Sequence, residues 1–436
     1  MKKICFLLQG CVNHLEEFRI LLKNLNEEYE LTKFPTQADL VIQYFCINTS
    51  KEISKIVKEM AFLKKVKREE AILIICGCAV EVLGKELFEQ FPYVNYVIGR
   101  KNICENILKM LEKKKVTNDF FLEKEEQSIS IEIIDGCTNK CTFCKVHYMD
   151  LPVKSKSIET ILEIVTNLIK SGVVNIRLTG LNTTLYGIDL YGRPVLHILL
   201  KKLSNIKGLL NIDISELSTM NMYDELSFEI ENNPIIGKVD IAFQSGSSHM
   251  LKIMNIHTTI EKMEKMIRSF GNKIGYTTFV IGHPYETKED VDLTIDFIER
   301  NNLWYTQLSS YQDAPRLISH KMPQLSRDEY NYSVNKVIDF VSEFRKEKMN
   351  QLVNSRVKAF NESCIVYKDR IELHMIAEKF PCKIVINFEK NVENARMIGE
   401  LEYLSKCEVT ISGINNYDYL VLDGTDLEVC NENREK

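Results

Sequence analysis

Between residues 129 and 310, strand-length apolar runs alternate with helical patterns. Strands are expected near 129–134, 174–179, 210–215, 238–243, 274–281 and 304–310, with helices such as 158–171, 258–270 and 287–301 between them. A strand that returns to its sheet through a helix pairs in parallel, with a right-handed crossover. Six such units in about 200 residues predict a partial (β/α)6 barrel, and barrels of this kind keep their reactive groups on the loops at strand C-termini. The loop after the first of these strands reads Asp135-Gly136-Cys137-Thr138-Asn139-Lys140-Cys141-Thr142-Phe143-Cys144, a C-x3-C-x2-C spacing.

Thiolates bind iron–sulfur clusters, and a [4Fe–4S] cube has four irons. Cys137, Cys141 and Cys144 would hold three of them and leave one iron open, where S-adenosylmethionine (SAM) can chelate through its amino and carboxylate groups. The competing readings are a zinc site completed by His147 and three buried thiols.

The remaining chain sorts around this core. At 436 residues, two or three domains are expected. Strands at 3–9, 39–45 and 71–76, with helices near 15–27 and 50–66, predict a small α/β domain over 1–116. A linker containing Lys113-Lys114-Lys115 and Thr117-Asn118-Asp119 leads into the central domain, 125–352, closed by a long charged helix near 327–350. Short β-type runs at Cys382–Phe388, Cys407–Ile411 and Tyr417–Leu422 predict a small β-barrel over 356–430. No internal repeat and no low-complexity tract is evident.

Composition narrows the class. A formal charge of -5 gives no overall electrostatic case for nucleic acid. Thirteen cysteines, an odd number in so long a chain, are not a disulfide framework, so thiols or metal ligands in a reducing cytoplasm are expected. No apolar run reaches the ~18 residues of a membrane span. Lys2-Lys3 followed by Leu8-Gln9-Gly10-Cys11 imitates a lipoprotein signal, but the apolar stretch from Ile4 to Leu8 is too short for one.

A second cysteine set lies in the N-terminal domain. Cys11, Cys46 and Cys78 each follow a predicted strand, and neighbouring parallel strands bring their C-terminal ends together. Convergence would make a second three-cysteine cluster site; the alternative is core cysteines. Cys5, Cys76, Cys104, Cys364, Cys382, Cys407 and Cys430 are expected to be core residues of that plainer kind.

The C-x3-C-x2-C run, with Phe143 before its last cysteine, resembles the cluster motif of the radical SAM superfamily. Together with Gly10-Cys11-Val12-Asn13, Phe45-Cys46-Ile47 and Gly77-Cys78-Ala79 it resembles that superfamily's methylthiotransferase family. Further matches follow in order: Leu178-Thr179-Gly180, Tyr186-Gly187-Ile188-Asp189, Phe243 to Ser247, Leu251 to Asn255 and Ile281 to Thr287. The resemblance implies a radical SAM barrel flanked by a cluster-binding α/β domain and a diverged TRAM-like barrel. It implies two [4Fe–4S] clusters and a reaction that replaces C–H by C–S–CH3. One SAM methylates a sulfur on the auxiliary cluster, and a second is cleaved reductively to a 5′-deoxyadenosyl radical that takes the substrate hydrogen. Cofactors of this kind supply the radical chemistry, and the protein supplies orientation and exclusion of water.

By the same resemblance, Leu178, Thr179 and Gly180 at one strand end and Gln244, Ser245 and Gly246 at another are expected to bind SAM, with ordinary strand-end turns as the alternative. Lys154 and Lys156 stand where the family has arginines, as point charges rather than planar forks. The chain departs from the family at Asp150-Leu151, Ile256 and Tyr285, the last replacing a glycine, and by one residue between Cys11 and Asn13. These departures bear on the substrate.

The family modifies either adenosine beside the tRNA anticodon or an aspartate of a small-subunit ribosomal protein. The segment Thr183 to Tyr191 resembles the protein-modifying branch. Residues 361–436 hold 9 Lys and Arg against 15 Asp and Glu, a balance of -6, which repels phosphate and attracts basic polypeptide. A polypeptide substrate is therefore expected, a ribosomal protein or a precursor peptide, with tRNA as runner-up. A non-catalytic cluster- or zinc-binding module is the rival of another class. A flavodoxin-type electron donor, a sulfur donor and a monomeric state complete the expectation.

Overall fold

The computed structural model describes residues 2–9, 29–45, 51–77, 128–146, 152–170, 173–366, 370–389, 406–416 and 420–429, with 91, 93–98 and isolated positions between 80 and 107 and between 391 and 397. They form two compact units, one holding the N-terminal sheet and the other the central and C-terminal sheets.

The N-terminal sheet contains β1 (Lys2–Gln9), β2 (Tyr29–Leu31), β3 (Leu40–Phe45), β4 (Ile72–Cys76) and β5 (Tyr96–Ile98), all parallel in the order β2-β1-β3-β4-β5. Side chains alternate between its faces. Leu40, Ile42, Tyr44, Ile74 and Cys76 pack on one side. Val41, Phe45, Leu73 and Ile75 pack on the other, against Ile56, Met60 and Leu63 of the Lys51–Val66 helix. Every residue of β3 is buried, as expected of a strand covered on both faces. The expected helix near 15–27 lies outside the described residues.

The central sheet has seven strands: β6 (Ser128–Asp135), β7 (Lys154–Ser155), β8 (Asn175–Gly180), β9 (Asn211–Ser218), β10 (Ile236–Gln244), β11 (Ile274–Ile281) and β12 (Thr306–Ser310). Their order is β12-β11-β10-β9-β8-β6-β7. Six are parallel and in chain order, the pattern of a partial (β/α)6 barrel, and β7 adds an antiparallel edge to β6. Crossover helices cover one face. Ile158–Lys170 buries Ile158, Ile161, Val165 and Leu168 at helical spacing. Lys288–Arg300 and the long Arg327–Leu352 helix both begin with capping boxes, Thr287 with Asp290 and Ser326 with Glu329, which satisfy otherwise orphaned N–H groups.

The tail closes a five-stranded barrel of β13 (Arg356–Val366), β14 (Arg370–Ala377), β15 (Lys383–Glu389), β16 (Lys406–Asn416) and β17 (Val421–Val429), in the order β13-β14-β15-β17-β16. Strict alternation along β14 turns Ile371, Leu373, Met375 and Ala377 inward. Among the described residues, no helix is long and apolar enough to cross a membrane.

Candidate active site

The cysteine loop leaves β6 through Gly136, whose φ of +83° suits glycine, and a Cβ there would lie 2.7 Å from the Pro152 carbonyl oxygen. Cys137, Cys141 and Cys144 are half-buried, unpaired in any disulfide, and close enough to repel one another as thiolates. Burial, then the charges of Cys144 and Cys137, pushes the Cys141 thiol up to about 12. Such a trio ionises together only when a cation neutralises it, which is what cluster irons do.

The loop is pinned on both sides of Cys141. The Lys140 carbonyl accepts from Asn255 Nδ2 at 2.9 Å. Thr142 donates its N–H to the Met254 carbonyl at 3.1 Å, and its own carbonyl accepts from Ser319 N and Oγ at 3.1 and 2.9 Å. Its hydroxyl lies 2.9 Å from His283 Nε2. His283 Nδ1 lies 2.9 Å from the Pro284 carbonyl, which can only accept, so Nδ1 carries the proton and Nε2 is an acceptor for the Thr142 hydroxyl, whose one hydrogen also has the Ile253 carbonyl within reach at 3.3 Å. Burial pushes the His283 imidazole down to about 4, so it stays neutral in this role. The backbone closes on itself where Cys144 N–H meets the Cys141 carbonyl at 3.1 Å.

Three asparagines from three loops join at Cys137. Asn139 N–H and Asn182 Nδ2 each donate to its sulfur at 3.4 Å. Asn221 Oδ1 accepts from Asn139 Nδ2 at 2.6 Å and from Asn182 Nδ2 at 2.9 Å. No spacing rule flags these residues, because they meet only when the ends of β6, β8 and β9 are adjacent.

The other predicted site residues sit at neighbouring strand ends. Gln244 ends β10 with φ +71°. Ser245 is buried, its hydroxyl 3.3 Å from Thr294 Oγ1, and Gly246 N–H donates to that same oxygen at 3.2 Å. Both are thus committed to the Lys288–Arg300 helix. Leu178, Thr179 and Gly180 end β8, and Thr179 Oγ1 is buried without a hydrogen-bond partner. Lys156 Nζ donates to the Glu132 carbonyl instead of standing free.

The sheet face opposite the helices is charged. Arg177 Nη1 lies 3.1 Å from Asp240 and Nη2 3.5 Å from Asp213. β9 slips its register against β10 around Ser215 and Glu216, and Glu216 takes φ +58° there. Desolvation and the Asp240 charge raise its carboxyl to about 7. Strained strand-end residues of this kind gather at functional sites.

Cys11, Cys46 and Cys78 lie outside the described residues, as do His147, Cys104 and Cys430. The strands leading into the first three are neighbours in register, Gln9 opposite Phe45 and Tyr44 opposite Cys76. Cys5, Cys76, Cys382 and Cys407 are fully buried core residues.

Known proteins match both parts of this layout. A family model of the radical SAM superfamily matches residues 131–298, and one described as Uncharacterized protein family UPF0004 matches residues 3–99. The chain is 31% identical over 325 residues to the ribosomal protein uS12 methylthiotransferase RimO of Clostridium botulinum (strain Eklund 17B / Type B), spanning 69% of this chain and 73% of that one. The enzyme of the same name from Clostridium perfringens (strain SM101 / Type A) is 29% identical over 320 residues, 68% and 72% of the two chains. Among solved structures, the radical SAM methyltransferase TsrM from Kitasatospora setae, with cobalamin and a [4Fe-4S] cluster bound, aligns at a TM-score of 0.52 and 12% identity over 73% of this chain and 74% of that one, a likeness of fold.

Fold and cysteine loop together define a radical SAM enzyme. Within that superfamily the chain belongs to the methylthiotransferases, which work with SAM and [4Fe–4S] clusters. The residues present fit a cluster: three thiols on one loop, with N–H donors aimed at one sulfur. Among the described residues, no three His, Cys, Asp or Glu close round a single ion. A cube gives each thiolate its own iron and so spreads its ligands wider than a mononuclear zinc does.

Proposed function

We propose that this chain transfers a methylthio group to an aspartate β-carbon of ribosomal protein uS12. The 31% identity to a uS12 methylthiotransferase over 73% of that enzyme's length carries the reading. The acidic balance of residues 361–436 supports it, since it favours a basic polypeptide over phosphate.

In this reading Cys137, Cys141 and Cys144 hold the SAM-binding cluster, and Cys11, Cys46 and Cys78 hold the auxiliary one. Bound there, the two clusters supply the electron for SAM cleavage and the sulfur for transfer. The chain's own residues orient the reactants. The backbone of Leu178, Thr179 and Gly180 and the side chain of Gln244 form the rim that binds SAM, while Ser245 and Gly246 fix that rim against its helix. His283 and Asn255 hold the cysteine loop at Thr142 and Lys140. Arg177, Asp213 and Asp240 make a fixed polar surface on the sheet face away from the helices. A cytoplasmic flavodoxin-type protein is the proposed electron donor.

The test is mass spectrometry of cells with and without the gene, covering uS12 digests and tRNA nucleosides. A gain of CH2S on one uS12 aspartate, lost on deletion, is expected. Loss of a methylthioadenosine with uS12 unchanged would replace this reading by the tRNA one.

A further inference from the structure

Cys137 is approached by N–H donors from two separate loops, and the second is held there by a built arrangement. Asn182 is 3% exposed, and both hydrogens of its amide are used, one on Cys137 Sγ at 3.4 Å and one on Asn221 Oδ1 at 2.9 Å. Asn221 Oδ1 receives a second amide hydrogen from Asn139 Nδ2 at 2.6 Å, and that amide also reaches Ser218 Oγ at 3.4 Å. An oxygen accepting from both neighbours fixes their orientation, because flipping either amide would set oxygen against oxygen. Asn182 Oδ1 is left buried with no partner. An orphaned buried acceptor is unfavourable. The molecule accepts that cost in an orientation that aims an N–H at sulfur.

We propose that Asn182, locked by Asn221, is a positioning residue that sets the reduction potential of the SAM-binding cluster through its bond to Cys137. This rests on the assignment of that cluster to Cys137, Cys141 and Cys144. Hydrogen bonds to cluster sulfurs are one of the levers that set potential. Adding an electron raises the negative charge on the sulfur, so an N–H donor favours the reduced form. The Asn139 backbone N–H, 3.4 Å from the same sulfur, contributes in the same sense and cannot be removed by changing a side chain.

The experiment is a redox titration of the reconstituted holoenzyme, following the EPR signal that SAM perturbs. Asn182→Ala should lower the potential by about 59 mV, a tenfold change in a one-electron equilibrium. Asn255→Gly is the control. It frees the same loop at Lys140 without reaching a sulfur, and glycine tolerates the φ of +60° found there, so the potential should hold. An unchanged potential in Asn182→Ala, or an equal shift in Asn255→Gly, overturns the proposal. Should Asn182→Ala fail to load iron, the wild-type enzyme labelled with 15N in the asparagine side-chain amides answers the question instead. Without SAM, pulsed EPR of the reduced cluster should show a weakly coupled 15N, and its absence overturns the proposal. A wild-type protein with no SAM-perturbed signal would sink the cluster assignment itself, which is a distinct result.

Discussion

Each of the two parallel sheets ends a strand on a glycine followed by a cysteine, Gly77-Cys78 after β4 and Gly136-Cys137 after β6. Both glycines have left-handed φ, +106° and +83°, and in both a Cβ would press on a backbone oxygen, Phe45 at 2.6 Å and Pro152 at 2.7 Å. Beyond that point the sheets differ. In the central sheet the other two cysteines follow on the same loop, and hydrogen bonds to Lys140 and Thr142 hold it. In the N-terminal sheet the companion cysteines follow other strands, β1 and β3, and only the sheet's register can bring them together. A ligand set written into one loop depends on local geometry. One assembled from three strand ends, as proposed for Cys11, Cys46 and Cys78, would depend on a whole domain being folded.

The sharpest break of this comparison is chemical. Cys141→Ala should abolish formation of 5′-deoxyadenosine under strong reductant. Joint replacement of Cys11, Cys46 and Cys78 by Ala should leave that cleavage intact, halve the bound iron and stop methylthio transfer. If iron is unchanged in the triple variant, the second cluster is disproved.

The glycines come next. Gly136→Ala and Gly77→Ala each introduce a backbone clash and an unfavourable φ, together about 2–4 kcal/mol in denaturant melts. Gly136→Ala should lose the SAM-perturbed EPR signal selectively, and Gly77→Ala should lose the other. Equal loss of both signals in either variant would mean that the two sites do not load independently.

A pH test probes the wall of the central site. Glu286 accepts the Gly282 N–H at 2.7 Å, and burial raises its carboxyl to about 7. The folded chain therefore favours the protonated form. Its contribution is present below the ordinary carboxylate range and is lost as pH rises toward 7. Wild-type stability relative to Glu286→Gln should fall between about pH 4.5 and 7 and then level. A flat difference would refute the assignment.

The smallest effect is at Tyr285, which occupies φ +66° after β11. A left-handed conformation costs a side-chain-bearing residue about 1–2 kcal/mol. Tyr285→Gly should therefore stabilise the protein by about 1 kcal/mol, read as a higher denaturant midpoint.

What was legible in the chain follows the same division. The six parallel strands fall within a few residues of their expected places. Five carry buried Ile, Val or Leu, and β12, Thr306 to Ser310, is marked instead by the strand–helix alternation that precedes it. Helices with side-chain caps, at Thr259, Thr287 and Ser326, were equally clear. The Leu196–Leu203 and Asp224–Asn232 helices were not singled out. They start at Val195 and Tyr223, which make no side-chain cap bond, so the strongest start signal is missing from both, and only the second has acidic residues, Asp224 and Glu225, in its first turn. β2 and β5, three residues each, are too short to show a period. In the site, the cysteine loop could be read directly. The asparagine lock, the His283–Thr142 bond and the bulge at Glu216 could not, since each joins residues from different loops or follows from strand register.

Lys238 carries a final consequence. Its half-buried ammonium lies where the central sheet meets the tail, donating to the carbonyls of Asn272 at 2.6 Å and Glu378 at 2.9 Å, and burial brings it down to about 8. Nearby, Trp304 and Phe380 place their rings 5.7 Å apart. The barrel that follows residue 356 is therefore no pendant on a hinge. A chain cut after Leu352 would lose one of the two acceptors of that cation. Exchanging the tail for another barrel would call for a new acceptor in the place of the Glu378 carbonyl, so at this seam the two parts of the unit are bound to change together.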